Sequence, residues 1–227
     1  MQRFNMFNQI HKSLRVLLYD TAAMVGRTDF DDASQLEAVN DRIKIVLASF
    51  DKHAHHEDKN VLPLLQAYEP AVVDAFEQEH VTDLALCKKL DGFLTALDLA
   101  IHPQAKTQLG IALSSAFIEF MIFNLQHMAK EETVLNNLLW RYYSDEQLLA
   151  VNKKIVASIP AEELAASYSW MMKALSNNEI ITWLRNVERN APQPVFRSLF
   201  ASAEKELTEA RFRDILESLT EGAMIAS

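Results

Sequence analysis

The stretch HAHHEDKNVLPLL, residues 53–65, combines candidate metal ligands with the apolar residues of a helix. Three histidines lie within four positions, two acids follow, and an apolar run ends the stretch. His53 and Glu57 are four residues apart, so on an α-helix both side chains project from one face. The same pattern is found at the hydrophilic end of an ordinary helix. Partners elsewhere in the chain therefore have to decide between a metal site and a solvated helix end.

A second stretch, HMAKEETVLNNLL at residues 127–139, aligns with the first without a gap. His127 and Glu131 take the places of His53 and Glu57, and the final two leucines coincide. The repeat indicates two similar helix pairs, each combining a lone histidine with a His-x-x-x-Glu motif. His11 and His80 are the two lone histidines, one ahead of each motif.

Apolar residues at helical spacing predict four long helices separated by short breaks. The breaks are TDFDDAS, EP and HPQ, and the expected helices span about residues 4–26, 32–68, 70–101 and 104–142. Long helices with short connections predict an all-α protein built on an up-down-up-down four-helix bundle.

The inward stripes of the later helices carry polar residues. Glu77, His80 and Leu84 are predicted to share the inward face of the third helix, and Val134 follows Glu131 on that of the fourth. Counted from each turn at 1.5 Å per residue, the lone and paired histidines reach one level of the bundle.

Four histidines and two glutamates are therefore expected to converge on the bundle axis. Burying six such groups without compensation would cost several kcal/mol. A cation offsets that cost by accepting the imidazole lone pairs and the carboxylate charge. We predict a metal site with the ligands His11, His53, Glu57, His80, His127 and Glu131.

After Ser144 the pattern changes to short amphipathic helices. The sequences SDEQLL, PAEELA and SNNE are typical of helix caps with acids in the first turn, and no histidine follows His127. We predict a bundle over residues 1–142 and a helical extension over 143–227, packed on or beside it. The extension offers a surface for a homodimer or a protein partner.

Composition excludes several classes of protein. The net charge of −9 argues against a nucleic-acid partner, because a phosphate backbone would be repelled. The single cysteine, Cys87, allows no disulfide within the chain and is expected to pack in the core. The start of the chain lacks a signal-peptide pattern, and no apolar run reaches the roughly 18 residues that a membrane span requires. A cytoplasmic protein without a membrane partner is expected.

Imidazole and carboxylate ligands without thiolate suit iron, manganese or zinc. Two glutamates from different helices, each paired with a histidine, are well placed to bridge two ions. A ferritin-like bundle would need two Glu-x-x-His pairs, and the chain offers one, from Glu77 to His80. That alternative is disfavoured.

The motifs together resemble the hemerythrin-like family, also known as HHE cation-binding domains, over about residues 1–140. The resemblance rests on His11, HAHHEDKNVLP, EQEH and HMAKEE. It implies a non-haem di-iron centre inside the bundle, with the two motif carboxylates bridging two iron ions. It also implies terminal imidazoles from the first helix pair on one iron and from the second pair on the other.

The chain also departs from the oxygen-carrying members, which have a second histidine one turn from that of the third helix. Phe76 and Leu84 stand at that spacing here. Glu77 is an alternative ligand, and His56 flanks the site, whereas His55 is read as solvated and His102 as a loop residue. The open position favours reactivity with oxygen, peroxide or nitric oxide over simple oxygen carriage.

We therefore expect a di-iron protein that binds or senses oxygen or nitric oxide. The alternatives are a di-iron redox enzyme that reduces peroxide, oxygen or nitric oxide, an iron donor in cluster repair, and a metal-stabilised helical interaction module.

Overall fold

The computed structural model describes residues 3–225, and every regular element in that range is helical. The prediction of an all-α protein is confirmed. A π-helical segment, Glu131–Leu135, separates α5 from α6. The helices are α1 (Asn8–Gly26), α2 (Ala33–Asn60), α3 (Leu62–Leu65), α4 (Pro70–Leu99), α5 (Pro103–Lys130), α6 (Asn136–Tyr142), α7 (Asp145–Ser158), α8 (Ala161–Ala174), α9 (Asn177–Asn190), α10 (Gln193–Glu206) and α11 (Glu209–Ile225).

Contacts divide the chain into two compact units. Within the described residues, the first contains 3–7 and Leu17–Ile155, and the second contains Asn8–Val16 and 156–225. Helix α1 thus contributes residues to both units. The long helices α1, α2, α4 and α5 follow one another through short connections, which is consistent with the predicted up-down-up-down four-helix bundle.

Local signals start the long helices of the first unit. The Asp32 carboxylate caps α2 by accepting hydrogen bonds from the backbone N–H groups of Ser34 and Gln35. Helices α4 and α5 each begin with a proline, Pro70 and Pro103, at a position whose N–H would have no partner within the helix.

An apolar core fills the first unit on the side of the histidines that faces the α1–α2 loop. Phe50 of α2 and Phe120 of α5 meet edge to face, with ring centroids 5.3 Å apart. Burying each such side chain contributes about 1.5–3 kcal/mol. The buried apolar residues of α2, α4 and α5 on this side include Val39, Ile43, Val46, Phe50, Leu90, Leu94, Leu97, Leu113, Phe117 and Phe120.

A second apolar cluster closes the opposite side of the histidine level. Its buried members are Phe7, Val61, Leu62, Leu65, Val73, Phe76, Leu135, Leu139 and Leu148. The N-terminal segment is tied to the end of α6, since the Arg3 guanidinium donates to the Asp145 carboxylate at 2.6 Å and to the Tyr143 carbonyl oxygen at 2.7 Å. The polar level between the two clusters is therefore shielded from water on both sides.

Two helix boundaries differ from the sequence-based prediction. Helix α1 begins at Asn8 rather than near residue 4. Helix α2 ends at Asn60, and α3 restarts the helix at Leu62, where one continuous helix to residue 68 was expected. Pro63 explains the break, because proline has no backbone N–H to donate to the carbonyl group four residues earlier.

The π-helical segment changes which residues face inward after Glu131. In an α-helix the residue four positions later lies above the first, whereas a π-turn spans five. Here the Asn136 N–H donates to the Glu131 carbonyl oxygen. Leu135 and Asn136 are consequently both fully buried, and Val134 is 41% exposed. The prediction that Val134 lies on the inward face is wrong for this reason.

The inward face of α4 is also rotated relative to the prediction. Glu77 and Leu84 are exposed, while Asp83 is buried. Asp83 lies three residues after His80, and Phe76 lies four before it, so this trio follows the ordinary helical spacing. The expectation that Glu77 and Leu84 share the inward face with His80 is therefore wrong.

The second unit has an apolar core of its own, formed by Met171, Met172, Leu175, Ile180, Leu184, Leu199, Ala203, Leu207 and Ile215. A capping box begins α9, because the Ser176 side chain accepts from the Glu179 N–H while the Glu179 carboxylate accepts from the Ser176 N–H. Lys12 donates to the same carboxylate at 2.6 Å. These bonds hold the pKa of Glu179 at about 2, although burial alone would raise it.

One continuous helical stretch in the described part of the chain, Pro103–Tyr142, is long and apolar enough to cross a membrane. One third of its most apolar window, 33%, is buried. Length and composition alone do not distinguish a membrane span from a core helix of a bundle. The same stretch supplies His127 and Glu131 to the polar level inside the first unit.

Candidate metal centre

Two histidine–glutamate pairs face each other inside the first unit. On α2, His53 Nε2 lies 3.2 Å from Glu57 Oε1. At the end of α5, His127 Nε2 lies 3.1 Å from Glu131 Oε1. Both pairs are i,i+4, so helix geometry alone places each histidine beside its carboxylate.

Each carboxylate also approaches a histidine of another helix. Glu57 directs Oε1 toward His53 and Oε2 toward His80, whose Nε2 is 3.4 Å away. Glu131 directs Oε1 toward His127 and Oε2 toward His53, whose Nε2 is 4.0 Å away. Both glutamates therefore span the centre, with one oxygen on either side.

The ligand atoms form two overlapping groups among the described residues. His11, His53, Glu57 and Glu131 offer one group of atoms that all lie within 4.8 Å of one another. The other group consists of Glu57, His80, His127 and Glu131. All six residues predicted as ligands are thus brought together, and the two glutamates are common to both groups.

The centre is buried, and its two carboxylate groups lie close together. Glu57 is 3% exposed, and Glu131 and His11 are both at 0%. Burial raises the pKa of Glu57 well above its usual value, and the negative charge of Glu131 raises it further. Two buried carboxylates this close repel each other unless a proton or a cation lies between them. Imidazole and carboxylate donors suit divalent iron, manganese and zinc.

His127 balances opposing effects on its pKa. Burial favours the neutral imidazole, but hydrogen bonds and negative charge from Glu131 and Glu79 outweigh that effect and raise the pKa of His127. A cation at this position would compete with the proton on its ring.

The second nitrogen of both histidines on α4 and α5 contacts an acid. His80 Nδ1 lies 2.7 Å from Asp58 Oδ1, and His127 Nδ1 lies 2.8 Å from Glu79 Oε2. Lys130 donates to the other oxygen of Glu79 at 2.6 Å. Burial would raise the pKa of Glu79, but its bonds with Lys130 and His127 lower it. Glu79 therefore faces His127 as a carboxylate.

Five other residues singled out in the sequence stand in neither ligand group. Glu77 is exposed on α4, so the alternative in which it replaces a missing histidine gains no support. His56 is half-buried, while His55 and His102 are exposed. Cys87 is half-buried with its sulfur 3.8 Å from Asp83 Oδ2, and burial followed by the charge of Asp83 raises the pKa of this thiol to about 12.

Sequence reasoning placed Asn124 on the inward face of the fourth helix but gave no role in the site to Asp58, Glu79, Asp83 or Asn124. The Asn124 amide nitrogen donates to Asp83 Oδ1 at 2.6 Å, and both residues are buried. Asp83 lies one turn after His80, and Asn124 one turn before His127. The helices are antiparallel, so this pair forms a polar layer directly beneath the two histidines. Spacing of three residues from a candidate ligand was the signal that could have found it.

A surface groove of about 710 Å³ runs between α2 and α4 and reaches His80. Its walls are largely apolar, with Asp83 and Asp58 among the polar lining residues. Apolar lining residues include Leu47, Ala48, Ala54, Val81 and Leu84. Among the six predicted ligands, His80 is thus the one that lines this groove.

Comparison with known proteins agrees with this geometry. The family model described as the hemerythrin HHE cation-binding domain matches residues 3–140. That range contains all six of the converging side chains. No curated protein matches the chain.

Proposed function

Because the chain belongs to the hemerythrin HHE cation-binding domain family, we propose that it holds two iron ions and binds or senses oxygen or nitric oxide. One observation carries the proposal: Glu57 and Glu131 each place one oxygen on either side of the centre. A carboxylate in that position can bridge two cations.

The residues divide naturally between two ions. His11 and His53 would hold one ion, His80 and His127 the other, and the two glutamates would be shared. Bound iron supplies a redox-active Lewis acid to which a small diatomic molecule can attach. The residues contribute ligand orientation and a dry setting, since apolar clusters shield the centre on both sides.

Each ion would have two histidines and share both glutamates, so access through the groove, and not the number of protein ligands, favours reactivity at the ion nearer α4. The chain offers one histidine from α4, because Phe76 stands one turn before His80 and the exposed Leu84 one turn after it. A site with few protein ligands leaves positions for solvent or an external molecule. The groove that reaches His80 gives such a molecule a route from the surface.

Elemental analysis of protein purified from iron-replete cells tests the ion content. We expect two irons per chain, an absorption spectrum of oxo-bridged ferric iron, and spectral changes with azide or nitric oxide. Fewer than one ion per chain in the wild-type protein would refute the proposal.

A matched pair of variants on α2 sharpens this test. His53→Ala removes a predicted ligand, whereas His55→Ala removes an exposed histidine two residues away. We expect the first variant to lose iron and the second to retain it. Equal iron content in both variants would contradict the assignment of His53.

A redox enzyme is the second candidate, and Asp83 is the observation that favours it. Burial raises the pKa of Asp83 and outweighs the lowering effects of its hydrogen bond from Asn124 and of the nearby imidazoles. A buried carboxyl group with a raised pKa that also lines the groove is a suitable proton donor. Reduction of hydrogen peroxide to two water molecules consumes two protons and two electrons, the latter from an external reductant.

Peroxide consumption with a chemical reductant separates the two candidates. An enzyme should turn over repeatedly, and Asp83→Asn should slow turnover while iron content stays unchanged. Reversible binding of nitric oxide without turnover would instead support a binding or sensing role.

A further inference from the structure

His80 and His127 each turn one ring nitrogen toward the centre and the other toward an acid. His80 Nε2 lies 3.2 Å from His127 Nε2, so these two nitrogens face each other. On the far side of each ring, Nδ1 contacts a carboxylate, Asp58 at 2.7 Å and Glu79 at 2.8 Å. The same arrangement thus occurs twice, on two different helices.

An ionised carboxylate can only accept hydrogen bonds. Each Nδ1 must therefore carry the hydrogen in its contact with the acid, which leaves Nε2 of a neutral ring with a free lone pair. Two lone pairs facing each other at 3.2 Å repel, unless a proton or a cation accepts them. A cation bound by both Nε2 atoms resolves this conflict, and the acids hold the rings in the tautomer it requires.

The acids come from positions next to predicted ligands. Asp58 follows Glu57 on α2, and Glu79 precedes His80 on α4. Consecutive helical residues point about 100° apart, so one side chain of each pair enters the centre while the other reaches the neighbouring helix. Helix α2 thereby orients the histidine of α4, and α4 orients the histidine of α5.

We propose that Asp58 and Glu79 are positioning residues that hold His80 and His127 with Nε2 open to one cation. The proposal rests on the proposed function for the presence of that cation. Asp58 contacts His80 and Glu79 contacts His127, so both acids touch ligands of the same group, the one that also contains Glu57 and Glu131. Their loss should therefore weaken one ion of the pair far more than the other.

The two acids should differ in how firmly each holds its histidine ring. The Asp58 side chain is 47% exposed, so water competes for it. The Glu79 side chain is 23% exposed and is held at its other oxygen by Lys130. Because a more buried and better fixed acceptor holds a ring more firmly, Glu79→Gln should have the larger effect.

The first experiment measures ring tautomers in the metal-free, full-length protein. Nitrogen-15 NMR of labelled histidines, at a pH where the rings are neutral, reports which nitrogen carries the hydrogen. We expect Nδ1–H for His80 and His127 in the wild type, because the bond of each ring to an ionised acid outweighs the repulsion between the two Nε2 lone pairs. The amide in Asp58→Asn can donate to Nδ1, so His80 should shift toward the Nε2–H form while His127 is unchanged. An Nε2–H form of both rings in the wild type would overturn the proposal.

The second experiment titrates the metal-free protein with Fe²⁺ under anaerobic conditions. Replacing an acid that orients a metal-binding histidine typically costs 10–100-fold in metal affinity. We expect a loss of about that size at one of two sites in Asp58→Asn and Glu79→Gln, with the other site retained. Unchanged affinity in both variants, or equal loss at both sites, would overturn the proposal.

Asp74→Asn is the matched control, because Asp74 is an exposed acid of α4 and the substitution removes the same charge. It should alter neither tautomers nor affinity. Thermal unfolding of metal-free Asp58→Asn should stay near the wild-type value, since Asp58 is at the surface. A wild-type protein that binds no Fe²⁺ refutes the proposed function, whereas the tautomer measurement separately decides whether the acids orient the rings.

Discussion

The two aligned stretches 53–65 and 127–139 begin alike and then diverge. Both present a histidine and a glutamate one turn apart, and both end in a fully buried leucine, Leu65 and Leu139. After the glutamate, the first stretch breaks at Val61 and restarts, while the second continues through the π-helical segment. The shared spacing of histidine and glutamate follows from helix periodicity. The course of the helix after the glutamate depends on which backbone N–H groups can donate a hydrogen bond.

The aligned residues after the glutamate explain the divergence. Pro63 corresponds to Asn137, and only the asparagine has an N–H that can continue a helix. Leu62 corresponds to Asn136, and both are buried. Neither amide atom of Asn136 has a hydrogen-bond partner among the described residues. The same ligand spacing is therefore followed by a broken helix with a buried leucine in one stretch and by a continuous helix with a buried asparagine in the other.

The largest expected effect is the loss of a ligand from either stretch. His127→Ala should lower iron content and reduce the free energy of unfolding by about 3–5 kcal/mol, because it leaves buried carboxylates without compensation. His53→Ala should do the same if the stretches are equivalent. Iron analysis and urea unfolding measure both effects. Normal iron content in His127→Ala would count against the metal site.

Substitutions at the aligned positions 63 and 137, where only one stretch has a proline, should have the next largest effect on stability. Asn137→Pro is expected to lower the free energy of unfolding by about 3 kcal/mol, because it removes a helix hydrogen bond and clashes with the preceding turn. Pro63→Ala, in the stretch that is already broken, should change stability much less. Chemical denaturation of the two variants tests whether Pro63 causes the break between α2 and α3. Equal effects in both would contradict this explanation.

Asn136→Leu should stabilise the metal-free protein by about 1–3 kcal/mol, because it removes buried polar atoms that have no hydrogen-bond partner in the described part of the chain. Leucine already occupies the aligned position, at Leu62. The control is Asn137→Leu, an exposed neighbour at which no gain is expected. A loss of stability in Asn136→Leu would indicate that a bound water molecule satisfies the amide.

The smallest effect concerns pH in the metal-free protein. The raised pKa of Glu57 means that the folded state binds a proton more tightly than the unfolded state does. Stability should therefore rise as pH falls from the raised pKa toward the unfolded value near 4.5, by at most about 1.4 kcal/mol per pH unit. Thermal unfolding between pH 8 and pH 5 checks the sign, and Glu57→Gln should reduce the dependence.

Periodicity predicted the helices and the convergence of the six side chains, because i,i+4 spacing and helix rise are properties of the backbone. It failed where small rotations matter. Glu77 and Leu84 were placed inward, yet α4 turns Asp83 toward the interior instead. A few tens of degrees about a helix axis decide between these residues, and only packing against α2 and α5 sets that angle.

The sequence alone thus determined an all-helical protein, the His-x-x-x-Glu repeats, and the level at which the histidines of the bundle meet. Tertiary structure alone decided that both glutamates span the centre, that Asp58 and Glu79 reach across to neighbouring helices, and that a π-turn buries Asn136. The physical reason is range: hydrogen bonds within a helix are local in the chain, whereas contacts between helices depend on how their faces are rotated against one another.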